Sequence, residues 1–143
     1  MEIKWQLVFS SNKNFNNLWN YLYENDDTQY PLYTSLGIEY QKEYLEGVNF
    51  KDLSFIIDYN DVPIIGIILS LNEIENGSYE LSSYGRPIFY LENKNIDLEF
   101  YKAAQKKFKK QFSEYISKYD IKRFKYHDFL INGQVSFFGN ILL

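Results

Sequence analysis

Two apolar runs separated by a two-residue polar break constrain this chain more than any other feature. Leu53 to Tyr59 and Val62 to Leu71 flank Asn60-Asp61, residue types that tolerate the left-handed backbone of a tight hairpin. Within the runs, Phe55-Ile56-Ile57 and Ile64-Ile65-Gly66-Ile67-Ile68-Leu69 are nearly continuous instead of alternating. A strand that is apolar on both sides must be covered on both sides, which puts this hairpin at the centre of a sheet with helices over it. Gly66, in the middle of the run, marks a bulge or a close backbone approach, and Pro63 fits only near a strand start or an edge.

The flanking segments supply the cover. Ile3, Trp5, Leu7 and Phe9 alternate with Glu2, Lys4, Gln6 and Ser10, the period of a half-buried strand with the odd-numbered residues inward. After Ser11 and Asn12, either able to cap, Phe15, Leu18, Trp19 and Leu22 fall on one helical stripe. A polar break over Asn25 to Thr28 and Pro31 precede a second helix over about 35 to 46, with Tyr40 and Tyr44 at i, i+4 spacing and Gly47 as its stop. Beyond the hairpin, Asn76-Gly77 turns the chain into a third meander strand, Tyr79 to Tyr84. Gly85-Arg86-Pro87 then breaks the pattern, and Ile88 to Leu91 resumes it. The longest helix follows, with Asn95 as its cap, Asp97 and Glu99 in its first turn, and Tyr101, Ala104, Phe108, Phe112, Tyr115, Ile116 and Tyr119 as its buried stripe. Lys122 to Leu130 alternates as a strand, Phe124 and Tyr126 against Arg123, Lys125 and His127, and Asn132-Gly133 leads into an apolar strand over Val135 to Leu143. The order is β-α-α-β-β-β-α-β-β: an α/β (α+β) chain with a largely antiparallel mixed sheet flanked by helices, and 143 residues suit a single domain over 1–143.

Charge is distributed unevenly along this framework. Residues 1 to 100 hold 6 Lys+Arg against 16 Asp+Glu, and residues 101 to 143 hold 9 against 3, so a net charge of −4 conceals a basic C-terminal part. Lys102, Lys106, Lys107, Lys109, Lys110 and Lys118 lie on the long helix; Lys106, Lys109 and Lys110 form a candidate anion-binding patch, or else the solvated face of an amphipathic helix. With no Cys and a single His, thiol catalysis, disulfides and a multi-histidine metal centre within one chain are excluded, and no metal site is expected. The N-terminus lacks a basic-then-apolar signal and no apolar run approaches a membrane span, so a cytoplasmic protein is expected.

Ser35-Leu36-Gly37-Ile38-Glu39-Tyr40-Gln41, Leu53-Ser54-Phe55 leading into Pro63-Ile64, and Tyr84-Gly85-Arg86-Pro87-Ile88, together with the element order, resemble the GNAT acyltransferase fold. The wording of these segments is closer to the FemAB-like branch, whose members carry two GNAT-like halves and transfer aminoacyl or acyl groups in cell-wall and polysaccharide synthesis. The resemblance implies an acyl- or aminoacyltransferase-like domain acting on an amine, with acyl-CoA or aminoacyl-tRNA as donor. It also implies either a homodimer or a second GNAT-like half as partner. A departure weighs against CoA: where the family's Arg/Gln-x-x-Gly-x-Gly/Ala loop should enter the long helix, this chain has Glu92-Asn93-Lys94-Asn95-Ile96-Asp97. Asp97 and Glu99 would repel an anion at that helix start. The alternative is a noncatalytic GNAT-like interaction or dimerisation module.

Among single residues, Arg86 in its strand-breaking corner is the leading candidate for an anionic group, because a guanidinium binds carboxylate or phosphate bidentately, or else it is a loop arginine paired with nearby acids. Ser83 and Tyr84 beside it, like Ser82, offer hydroxyls to a substrate, but no base accompanies them and they carry no catalytic assignment. Glu39 and Glu43 could pair as acid and base or simply face solvent. His127 is the one side chain here whose unperturbed pKa is near neutrality, which would suit a general base, or else it is a structural or surface histidine; Asp128, its neighbour on an expected strand, is expected on the opposite face and so not in a dyad with it.

Overall fold

The computed structural model describes residues 5–26, 31–43 and 50–125. The predicted positions of Ile3, Tyr44, Gly47, His127 and Asp128, the strand beyond Lys125, the Asn132-Gly133 turn and the terminal strand lie outside them.

Among the described residues eight strands and three helices occur, with the helices placed as expected but six strands, in place of the expected three, between the second and third helices. Strand β1 is Trp5–Phe9, α1 is Phe15–Asn25, and a 3-10 turn, Pro31–Tyr33, precedes α2, Ser35–Glu43. Then come β2 (Phe50–Asp52), β3 (Phe55–Tyr59), β4 (Val62–Ile68), β5 (Ser70–Glu75), β6 (Ser78–Ser82), β7 (Phe89–Glu92), α3 (Leu98–Lys118) and β8 (Ile121–Phe124). The strands form two four-stranded sheets, in the orders β1-β3-β4-β7 and β2-β5-β6-β8. Every pairing among the described strands is antiparallel except β6 with β8, which are parallel and joined through β7 of the other sheet and α3.

The second run, which reads as a single strand in sequence, serves both sheets, and the first is preceded by a strand, β2, that the sequence reading did not foresee. Only Leu53-Ser54 separates β2 from β3, and only Leu69 separates β4 from β5. At this seam the backbone ladder is interrupted and buried serines repair it. Leu69 N–H donates to the Ser54 hydroxyl at 2.9 Å, and the Ser83 hydroxyl donates to the Ile68 carbonyl at 2.6 Å. The bend therefore leaves these buried backbone groups paired, which the interior of a sheet requires.

The central hairpin is covered on both faces, as its composition demands. Phe55, Ile57, Ile65 and Ile67 pack with Ala104, Phe108 and Phe112 of α3, while Ile56 and Ile68 pack with Trp19 and Leu22 of α1. Gly66 faces α1 at the closest point: a Cβ there would lie 2.8 Å from both the Trp19 ring and Leu22 Cδ1. It marks a close approach; the register shift lies instead between Ile57 and Asp58, opposite Ile64, next to Pro63 at the start of β4.

Three expectations are corrected. In β1 the inward residue is Val8, while Leu7 and Phe9 are each 40% exposed. Among the described strands β1 ends its sheet, and α1 covers the Val8 side, whereas on the other side Leu7 borders an open cleft with Lys107, Lys110, Gln111 and Glu114 of α3, and the Trp5 ring lies 5.4 Å from Lys107 Nζ. On α3, Gln111 is buried and Ile116 exposed, because the contact stripe follows Ala104, Phe108, Phe112 and Tyr115. The helix starts at Leu98 with Asp97 at its cap position. Asn95 instead donates through Nδ2 to Asn25 Oδ1 at 2.7 Å, tying the connection to the end of α1. None of the described helices is long and apolar enough to cross a membrane.

Candidate functional site

The seam between the two sheets places the Gly-Arg-Pro corner. After β6 the chain turns through Tyr84 (φ 51°) and Gly85 (φ 85°), the pair of positive φ values of a type I′ turn. Ser83 and Arg86 exchange backbone hydrogen bonds of 2.9 and 3.1 Å across it. Glycine adopts this conformation freely, but a tyrosine does so at a cost of roughly 1 kcal/mol or more. Several buried hydroxyls hold it there. Tyr84 N–H donates to the Ser70 hydroxyl, Gly85 N–H to the Ser82 hydroxyl and Phe89 N–H to the Ser83 hydroxyl, at 2.9 to 3.0 Å.

The Tyr84 side chain is the third anchor. Its hydroxyl donates to Asp52 Oδ2 at 2.8 Å, and its ring packs edge-on to Phe50. Asp52 also pairs with Lys42 Nζ at 3.2 Å, and that ammonium sits 5.4 Å from the centre of the Tyr84 ring. Burial, reinforced by the Asp52 charge, pushes the Tyr84 hydroxyl far above the ordinary tyrosine range, so it remains a proton donor.

Beyond this corner lies a cavity of about 350 Å³ between the corner and the 3-10 turn. Arg86 and Pro87 form one wall, Pro31, Leu32 and Tyr33 the other, with Gln41 and Phe89 completing it. Tyr33 and Phe89 stack in parallel with centroids 3.9 Å apart. The opposite wall is fixed from several sides. Trp19 Nε1 donates to the Tyr33 carbonyl at 2.6 Å, the Thr34 hydroxyl caps α2 by accepting from Gly37 N–H, and α2 rests on the turn at Gly37. A Cβ at Gly37 would lie 2.6 Å from the Pro31 carbonyl oxygen, so only glycine permits that contact.

Gln41 is 2% exposed and uses Nε2 to reach the Leu32 and Gly37 carbonyls at 2.7 and 3.3 Å. Its Oε1 is buried with no hydrogen-bond partner among the described residues. An orphaned buried acceptor costs about 1–3 kcal/mol. Arg86 is exposed and forms no ion pair among the described residues, because the acids nearest in chain order are engaged elsewhere: Glu80 with Arg123 at 2.9 Å and Glu92 with Lys94 at 3.0 Å.

The residues singled out in sequence therefore have different surroundings. Arg86 lines a cavity. Tyr84 lies behind it with its hydroxyl turned to Asp52, and Ser83 is fully buried with its hydroxyl engaged on both sides. Glu39 and Glu43 lie on an exposed face, Glu39 being 3.6 Å from Lys42. Lys102, Lys106, Lys109 and Lys110 are exposed along one outer stripe of α3, remote in sequence and structure from that corner. At the start of α3, the Asn93 side chain donates to the Pro63 carbonyl and accepts from Asn95 N–H, so the segment ahead of the helix is bound inward.

Gln41, Asp52 and the Pro31–Tyr33 turn were not foreseen as parts of this region. The signal for Gln41 was present: it lies three residues after buried Ile38, on the same stripe of α2, where an amide is out of place unless it has partners. No protein-family model, curated protein or solved structure matches the chain.

Proposed function

We propose that the chain is an acyl- or aminoacyltransferase-like domain of GNAT-like build, of the FemAB-like branch, acting on an amine of a cell-wall or polysaccharide precursor. The observation that carries this reading is connectivity. A helix pair follows the first strand, and among the described pairings, otherwise antiparallel, the parallel pair β6–β8 is joined by a connection that runs through β7 of the other sheet and the longest helix. That order accompanies the family-like wording at Ser35–Gln41, Leu53–Phe55 and Tyr84–Ile88.

The donor of this reading is carried on tRNA. A CoA pyrophosphate at the start of α3 would meet Asp97 and Glu99 in place of a glycine cradle, and the field there is unfavourable to an anion. The stripe of Lys102, Lys106, Lys109 and Lys110 suits a polyanion. The protein's contribution is to hold donor carbonyl and acceptor amine in reacting geometry, a role that orientation alone can fill.

A thermal-shift titration against bulk tRNA, acetyl-CoA and free CoA tests it. A ligand at one hundred times its Kd stabilises by about 2.7 kcal/mol, on the order of 5–10 °C in a chain of this size. The expected result is a salt-sensitive rise with tRNA and none with CoA compounds. A rise with CoA alone would replace the donor, and silence from all three would favour the noncatalytic module. That second reading has its own observation: β1 ends its sheet among the described residues and exposes Leu7 and Phe9, an edge suited to another chain. Light scattering that finds a monomer at all concentrations removes it.

A further inference from the structure

The cavity beside Arg86 combines three features that no single structural role explains. It is walled mainly by Pro31, Leu32, Pro87 and the stacked Tyr33–Phe89 pair, so a flat apolar body fits it. It borders Arg86, whose guanidinium forms no ion pair among the described residues and which two hydroxyl-pinned backbone turns hold in place. It is also lined by Gln41, nine-tenths buried and more, whose Oε1 lacks a donor while both Nε2 contacts are already made inside the protein.

We infer that this cavity binds a small amphiphilic anion: a compact apolar or aromatic body bearing one carboxylate or phosphate for Arg86 and one N–H or O–H donor that reaches Gln41 Oε1, buried at the cavity wall, once binding uncovers the amide. The charge is recognised at the exposed rim, where bidentate geometry compensates for partial hydration, and the donor is recognised within, where the unpaired amide oxygen rejects a body that has none. About 350 Å³ accommodates a ligand of the size of an N-acylated amino acid and excludes a nucleotide cofactor or a peptide chain from full burial. The inference does not depend on acyl transfer; it stands if tRNA and CoA both leave the protein unshifted.

The test is calorimetric titration of the full chain with N-acetyl-L-phenylalanine, its primary amide, 3-phenylpropionate and phenyl phosphate, repeated on Arg86→Gln and Gln41→Met. N-acetyl-L-phenylalanine should bind, with the amide weaker by about ten- to hundredfold. Arg86→Gln, at an exposed position, should keep the wild-type melting temperature and erase that difference. The donor-free 3-phenylpropionate should bind severalfold less well, a gap that Gln41→Met should close. Preference for phenyl phosphate with the same dependence on Arg86 identifies phosphate as the anion within the same class. The indole N–H resonance of Trp19, hydrogen-bonded to the Tyr33 carbonyl, should move on binding while that of Trp5 does not, a readout that needs no variant. Absence of binding by all four probes, binding indifferent to Arg86→Gln, or an unmoved Trp19 resonance overturns the proposal.

Discussion

Two turns in this protein share one backbone conformation and reach it by opposite means. Asn60-Asp61, between β3 and β4, has φ values of 49° and 66°; Tyr84-Gly85, after β6, has 51° and 85°. The first is built from residues that accept the left-handed region and is fastened locally, Asp61 N–H donating to Asp58 Oδ2 at 3.1 Å. The second puts a bulky aromatic where glycine belongs, and long-range contacts secure it: Ser70 on the backbone, Asp52 on the hydroxyl and Phe50 on the ring. The first turn closes a hairpin. The second stores strain in order to present Arg86 and Pro87 to a cavity, the pattern expected where a backbone outlier serves a site.

Replacing each tyrosine-or-asparagine position by glycine separates the two cases most strongly. Asn60→Gly should leave stability within about 0.5 kcal/mol of wild type, since glycine accepts the same φ and no packing is lost. Tyr84→Gly should relieve backbone strain yet lose a ring that is 4% exposed, for a net loss of about 3 kcal/mol. Urea unfolding of both variants measures the contrast. Equal effects would mean that Tyr84 is held by its own turn and not by the surrounding fold.

Removing a pin of the second turn has the next largest effect. The Ser83 hydroxyl donates to Ile68 and accepts from Phe89, one bond on each of the strands that β4 and β7 contribute to the first sheet. Ser83→Ala leaves a buried carbonyl and a buried N–H unpaired, a loss of about 2 kcal/mol. Amide hydrogen exchange at Phe89 should rise more than at Ile65, four residues from the seam's Leu69; uniform acceleration would assign the serine to global stability instead of to the corner.

The difference between the turns is also the limit of what could be read from sequence. The hairpin, the covered strands and the helix stripe at Phe15, Trp19 and Leu22 were legible because their determinants lie within a few residues of one another: periodicity, a continuous apolar run, a two-residue turn. The division of the second run between two sheets was not, because Leu69 carries no local break signal, and the short strand β2 ahead of Leu53 was missed. The bend exists only because serines distant in sequence stand in for the missing ladder bonds. Arg86 was legible as a corner residue. Its cavity was not, since the opposite wall comes from Pro31, Leu32 and Tyr33, with Gln41, about 50 residues earlier in the chain. The outward turn of Leu7 and Phe9 escaped prediction for a related reason: alternation tells which residues share a face, and only the helices decide which face is covered.

The smallest expected effect is a difference in pH response. The first turn is anchored by a carboxyl and the second by neutral hydroxyls at Ser70, Ser82 and Ser83. Burial raises the Asp58 pKa above its ordinary value of 3.8; the Asp61 N–H bond opposes this, and the Asp61 charge adds to it. The folded chain therefore holds this proton more tightly than the unfolded chain does. Protonated Asp58 contributes stability that is fully present below 3.8 and is lost as pH rises through the raised value. Asp58→Asn removes that titration, so the variant should gain on wild type as pH is taken from about 3 to 7, while Ser83→Ala should run parallel to wild type over the same range. Urea midpoints across that range decide it. Parallel curves for Asp58→Asn would show that Asp58 Oδ1, buried with no partner among the described residues, is relieved of its burial before the proton leaves.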